Sequence, residues 1–141
     1  MQKPVALKNA SIDVIRAFSP AAAIGPSFEK TRKGTVAHLA ARRADWQRRH
    51  ESARPGAFVL PQWRAGAATQ LEPLPPEALF GALAFNAFNY RLLGAIGFDA
   101  VLRLVRACPA WQLVYSDLDD AIATIDARWR IDVAASAGRT A

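Results

Sequence analysis

Trp111-Gln112-Leu113-Val114-Tyr115, followed at once by Ser116-Asp117-Leu118-Asp119, is the stretch that decides the architecture. The first five residues have the large, β-rich composition of a strand. The next four are an N-terminal capping signature, after which Leu118, Ala121, Ile122, Ile125 and Trp129 recur at helical spacing. Just upstream, Phe98 starts a helical pattern in which Val101, Leu102 and Val105 lie opposite Arg103 and Arg106, and Cys108-Pro109 ends it. Helix, strand and helix in immediate succession predict a mixed chain, α/β or α+β.

Working back toward the N-terminus, Pro75-Pro76-Glu77 launches a further helix with proline and an acid in its first turn. Leu79, Phe80, Leu83, Phe88 and Leu92 repeat along it, with Phe85 and Tyr90 widening the stripe, so a substantially buried helix is expected before Gly94 and Gly97 break the pattern. Ala57-Phe58-Val59-Leu60 reads as a strand buried on both faces that stops at Pro61. Thr69 to Leu74 alternates and, with Pro73, reads as an edge strand. Pro4 to Lys8 is a short strand closed by Asn9, and Ser11 is the expected cap of a helix whose core face is Ile12, Val14, Ile15 and Phe18. Phe28 to Leu39 reads as a hairpin arm interrupted by the polar string Glu29 to Gly34. Residues 40 to 54 have only Trp46 as a large apolar anchor, which suits a solvated helix or loop. Residues 1 to 133 are read as a single lobe and 134 to 141 as a disordered tail.

Composition narrows the function classes. The 141 residues are 52% apolar and 21% charged, enough to fill a core and far from the profile of a disordered chain. Arg, Asp, Asn or Pro interrupts every apolar run well short of the roughly 18 to 20 residues that cross a bilayer. Met1-Gln2-Lys3-Pro4 lacks the apolar stretch of a secretory signal, which points to the cytoplasm. One cysteine, Cys108, with His38 and His50, gives no basis for a disulfide framework or a metal-held fold. The net charge of +6 is local, because eight bases against Asp45 and Glu51 lie between Lys30 and Arg54, while the rest of the chain carries ten of each sign. Such a segment suits any polyanion, whether a nucleotide phosphate, an acidic protein face or a nucleic acid. The cations are not interleaved with stacking aromatics apart from Trp46, which speaks against nucleic acid.

No self-sufficient catalytic motif is present: GxxxxGK[ST], GxGxxG after a strand, GxSxG and HExxH are all missing. Lys33-Gly34-Thr35 places an ammonium, backbone amides and a hydroxyl within three residues, a set that can hold phosphate, and His38 follows in the same strand. On composition alone the plainer description is a solvated basic hairpin, with His38 a hydrogen-bonded structural residue. Lys8-Asn9 stands at a strand end, the position from which α/β sheets present ligands, though an exposed turn pair is the simpler reading. Asp117, Asp119 and Asp120 suit a helix start better than a metal cluster. Phe80, Phe85, Phe88 and Tyr90 read as core, and Cys108 as a buried thiol.

The ordered series PVALKNASIDVIRAF, IGPSFEKTRKGTVAHL, ARPGAFVLPQWRAGAATQLEPLP, AFNAFNYRLLGAIGFDAVLRLV and YSDLDDAIATID resembles the carboxyl-terminal half of HprK-related kinase A. That family is similar to HPr kinase/phosphorylase and, more remotely, to the phosphoenolpyruvate carboxykinase nucleotide-binding fold. The resemblance spans about Pro4 to Trp129, and KNASIDVIR, KGTVAHL, NAFNY and YSDLDDA carry its specificity. It implies an ATP-dependent protein serine kinase acting on an HPr-like acceptor, in an exosortase-associated setting. Family members carry the phosphate loop and the magnesium-holding acids ahead of the matching segment, so the chain is expected to be a truncated lobe, inactive alone. ATP and Mg would bind only in a completed enzyme, with a P-loop-containing companion lobe as partner.

In that picture Lys8 and Lys33 would clamp phosphate, Asn9 and Thr35 would hydrogen-bond nearby, Gly34 would let the backbone turn tightly beside the cations, and His38 would orient. These roles rest on chemistry and position, not on a family motif, and no catalytic residue or metal ligand is assigned. The alternative is a non-catalytic module docking an acidic partner through residues 30 to 54. If half a domain is missing, exposed sheet edges and apolar faces are expected, and with them a homo-oligomer.

Overall fold

The computed structural model describes residues 4 to 137, with side chains through Trp129. It is a mixed α/β structure with two three-stranded sheets and, among the described residues, six helices. The chain forms two compact units, Met1–Ala53 and Arg54–Ala141. The division falls in the exposed stretch of residues 51 to 56, which carries no large apolar side chain to anchor it.

In the first unit, β1 (Val5–Lys8) leads through Asn9 into α1 (Ala10–Phe18), and β2 (Phe28–Thr31) and β3 (Gly34–Leu39) form a hairpin. The sheet order is β1-β3-β2, with both pairings antiparallel. Alternation along β1 and β3 sends Leu7 and Ala37 inward, where they join Ile12, with Ile15, Ile24 and Leu39 packed against them. Burying each large aliphatic side chain here contributes about 1.5 to 3 kcal/mol. Of the core face expected for α1, Val14 and Phe18 stay exposed, because contact with a three-stranded sheet reaches only the Ile12 and Ile15 side of so short a helix. Ser11 is not the cap either. The helix begins two residues earlier than a Ser11 cap would set, at Ala10, with Asn9 at the N-cap. Beyond the hairpin, α2 (Arg43–Gln47) is a short solvated helix with no buried residue, as its composition suggests.

In the second unit, β4 (Phe58–Trp63), β5 (Gln70–Pro73) and β6 (Ala110–Tyr115) form a sheet of order β4-β6-β5, with β4 parallel and β5 antiparallel to β6. The decisive stretch supplies the central strand, and Leu113 is 2% exposed. β4 continues through Pro61 to Trp63 and is half-buried at best, not covered on both faces. As an edge strand it loses nothing by an amide that cannot donate. Between β5 and β6 lie α3 (Pro76–Asn86), α4 (Tyr90–Leu93) and α5 (Ala95–Ala107). Leu79 and Val101 are the buried anchors of α3 and α5.

Gly97 does not break α5. It is buried inside the helix, where a Cβ would come within 3.0 Å of the Tyr90 carbonyl, so glycine is what lets α4 approach. The break falls at Gly94, with φ 51°. The expectation of a substantially buried α3 fails at its C-terminal end: Phe85 and Phe88 are exposed, and only Phe80 and Tyr90 of the aromatic set pack inward, with Phe80 also against Phe98. The helix stops at Asn86, so the helical phase that would have carried the later residues inward is lost.

The last helix, α6 (Leu118–Ala137), starts with Asp117 Oδ1 accepting from the Asp120 amide at 3.0 Å, the capping geometry its sequence predicts. Ala121 is buried, and Trp129 meets Trp111 edge to face at 5.7 Å. Residues 134 to 137 of the expected tail continue α6, and 138 to 141 lie outside the described residues. Cys108 is buried as expected, its thiol donating to the Pro55 carbonyl. No described helix is long and apolar enough to cross a membrane.

Candidate phosphate-facing site

The hairpin between β2 and β3 turns through Arg32 and Lys33, with Thr31 opposite Gly34. Between Phe28 and Thr31 the register shifts by one residue, and Lys30 takes a positive φ of 56°. This bulge aims the tip independently of the sheet behind it. Thr31 tightens the turn twice: its hydroxyl donates to the Gly34 carbonyl at 2.6 Å and accepts from the Lys33 amide at 3.1 Å.

Asn9 ties this tip to the end of β1. Its amide donates to the Thr35 carbonyl at 2.9 Å, and its Oδ1 accepts from the Thr35 amide at 3.0 Å. Gly34, with φ 80°, lies beneath the Asn9 carboxamide so closely that a Cβ there would overlap Oδ1. Asn9 itself has φ 49° and ψ −129°, nearly the dihedrals of Gly94 at the start of α5. A non-glycine residue in that region stores strain of order 1 to 3 kcal/mol, held by surrounding bonds. Ser11 supplies one more, its hydroxyl sitting 2.7 Å from both the amide and the carbonyl of Lys8. Lys8 pairs with Val36 across the β1–β3 ladder, so the structure brings Lys8, Asn9, Gly34 and Thr35 to one corner, with Lys33 on the adjoining turn.

Two sequence expectations change here. The Lys33 and Thr35 amides are not free to cradle an anion, because Thr31 and Asn9 already accept from them. The donors that remain are side chains: the exposed Lys8 and Lys33 ammoniums, the Thr35 hydroxyl and the Asn9 carboxamide nitrogen. His38 stands opposite Ala6, two register positions along the ladder from Lys8 and Val36 and therefore on the same outward face, and its ring makes no hydrogen bond or ion pair among the described residues. Its carbonyl accepts from Gly25, which is a backbone duty. The structural contribution of Ser11 was legible only as a cap; the signal would have been a hydroxyl three residues past a strand-ending lysine.

The basic segment is less uniformly cationic than its composition. Arg42 bonds Asp45 at 2.7 Å and Arg48 bonds Glu51 at 2.7 Å, and each guanidinium is held above its ordinary pKa chiefly by that hydrogen bond. Arg49 stacks 3.8 Å over the Trp46 ring. The exposed Lys30, Arg32 and Lys33 at the hairpin have no ion-pair partner among the described residues. No group of three His, Cys, Asp or Glu side chains that could hold a metal ion occurs among the described residues. The chain matches no protein-family model, no curated protein and no solved structure.

Proposed function

We propose that this chain is a lobe of an HPr-related serine kinase, a cytoplasmic phosphotransferase of phosphoenolpyruvate carboxykinase-like fold, and that it completes a nucleotide site only beside a phosphate-loop lobe. The observation that carries the reading is the corner formed by Lys8, Asn9, Gly34 and Thr35, which joins two of the strings that give the resemblance, KNASIDVIR and KGTVAHL. Two ammoniums, a hydroxyl and a carboxamide nitrogen are donors only or can act as donors, and that chemistry suits phosphate oxygens. Lys8 and Lys33 neutralise charge, Thr35 and Asn9 orient, and Gly34 leaves room for the Asn9 carboxamide. His38 contributes from the same outward face.

ATP would supply the transferred phosphoryl group, and magnesium would neutralise it in the completed enzyme. The donor set here does not suit the metal, so that duty falls to the companion lobe. The acceptor is an HPr-like protein. The isolated chain is expected to show no magnesium-dependent phosphorylation of such an acceptor, and measurable transfer by it alone overturns the reading. Joined to a phosphate-loop lobe of an HPr kinase-like protein, the chain should raise ATP affinity, and Lys33→Ala should weaken it. Unchanged kinetics would remove Lys33 from the site.

A second reading has its own support. Lys30, Arg32 and Lys33 project from an exposed hairpin without acidic partners, which suits docking to an acidic protein face. Such an association weakens steeply with added salt, and salt-insensitive binding would argue against it.

A further inference from the structure

The corner where α3, α4 and α5 meet carries more uncovered apolar surface than a solitary domain has reason to keep. Phe85 is 90% exposed, Phe88 104%, Leu92 85% and Ile96 69%, with Leu93 and Phe98 about half exposed. Taking roughly 200 Å² for each fully exposed side chain, these six present on the order of 900 Å². The largest apolar patch on a typical monomer is about 300 to 600 Å². We infer that this corner is the contact surface of a homodimer, with the same corner of a second copy as its occupant.

Area and charge select that occupant. A stable complex covers about 800 Å² on each partner, which this corner supplies without help from elsewhere. From Phe85 to Phe98 the only charged residue is Arg91, and the others are apolar, small, or Asn and Tyr. A strongly charged partner would find only Arg91 there to complement it. A two-fold interface places a patch against itself, so charge poverty is what it requires. The backbone beneath is held by internal contacts: Phe80 packs against Tyr90 and Phe98, and Gly97 admits α4 against α5. The corner therefore presents its side chains from a seated framework, and Phe88 and Leu92 have almost nothing of their own chain to lose.

Light scattering during size exclusion of the full chain should report twice the chain mass for the wild type. A Phe88→Asp/Leu92→Asp variant should report the single mass with an unchanged far-ultraviolet circular-dichroism spectrum and a melt that no longer depends on protein concentration. A second arm uses Asn89→Cys: because Cys108 is buried, mild oxidation should give a disulfide-linked dimer from this variant and none from the wild type. A wild type that is monomeric at every concentration overturns the inference and leaves the face to a different chain. A double variant that stays dimeric also overturns it by placing the interface elsewhere.

Discussion

Asn9 and Thr35 exchange two hydrogen bonds, amide to carbonyl at 2.9 Å and amide to side-chain Oδ1 at 3.0 Å, with Gly34 lying directly beneath the Asn9 carboxamide. That pair joins the end of β1 to the start of β3 and makes one corner from residues far apart in the chain. Gly34→Ala should therefore be among the costly small substitutions, since it adds a Cβ where Oδ1 sits and forces a non-glycine residue to φ 80°. A loss of about 1 to 3 kcal/mol is expected in urea unfolding. A variant as stable as the wild type would show that the carboxamide can swing away freely.

Asn9 offers a finer test, because its backbone and side chain pull in opposite directions. Asn9→Ala removes the bond to the Thr35 amide and keeps an unfavourable φ, while Asn9→Gly removes the same bond but relieves the backbone, as Gly94 does at its own helix start. The glycine variant should be the more stable of the two by about 1 kcal/mol. The reverse order in thermal melts would mean that the backbone here carries no strain.

Leu113 sits at the middle of the central strand β6 and is 2% exposed. Truncation to Ala should cost about 2 to 5 kcal/mol, the loss of transfer energy plus a cavity. Phe88→Ala, on a side chain of similar apolar character, should leave the stability of the monomeric chain within about 0.5 kcal/mol. Equal losses at the two positions would contradict the burial pattern.

Asp117 caps α6 through the Asp120 amide. Asp117→Ala should destabilise by about 1 kcal/mol and Asp117→Ser by less, since a hydroxyl accepts from the same donor. Amide exchange at Asp120 is the local readout, and its rate should rise in the alanine variant.

Asp45 and Glu51 hold the Arg42 and Arg48 guanidiniums in exposed pairs. Asp45→Asn with Glu51→Gln should leave the melting temperature nearly unchanged, as exposed pairs contribute little. The same change should delay elution from a heparin column, because two guanidiniums are released to face a polyanion. Unaltered retention would place the polyanion-binding surface outside this segment.

Much of the fold was legible where a local pattern and the final environment agree. The strand Trp111–Tyr115, the capped start of α6, the edge strand broken by Pro73 and the proline-led start of α3 all follow from neighbours in the chain, because propensity and capping act over a few residues. The readings that failed depended on what lay opposite. Phe85 and Phe88 have core composition, and Ala57–Leu60 looks buried on both faces; but three-stranded sheets and an α3 that ends at Asn86 do not offer enough surface to cover them.

The candidate corner divides in the same way. A strand ending in Lys8-Asn9 and a cationic turn at Lys33-Gly34-Thr35 are visible in the letters alone, as side-chain chemistry with the right donors. That the two are one place, that Asn9 and Thr31 consume the amides an anion would have used, and that His38 lies two register positions away on the same face are matters of antiparallel register. Composition and periodicity determined the elements and the donors, since both act locally; only tertiary structure decided which donors remain free, since hydrogen bonds form between residues that pairing makes neighbours.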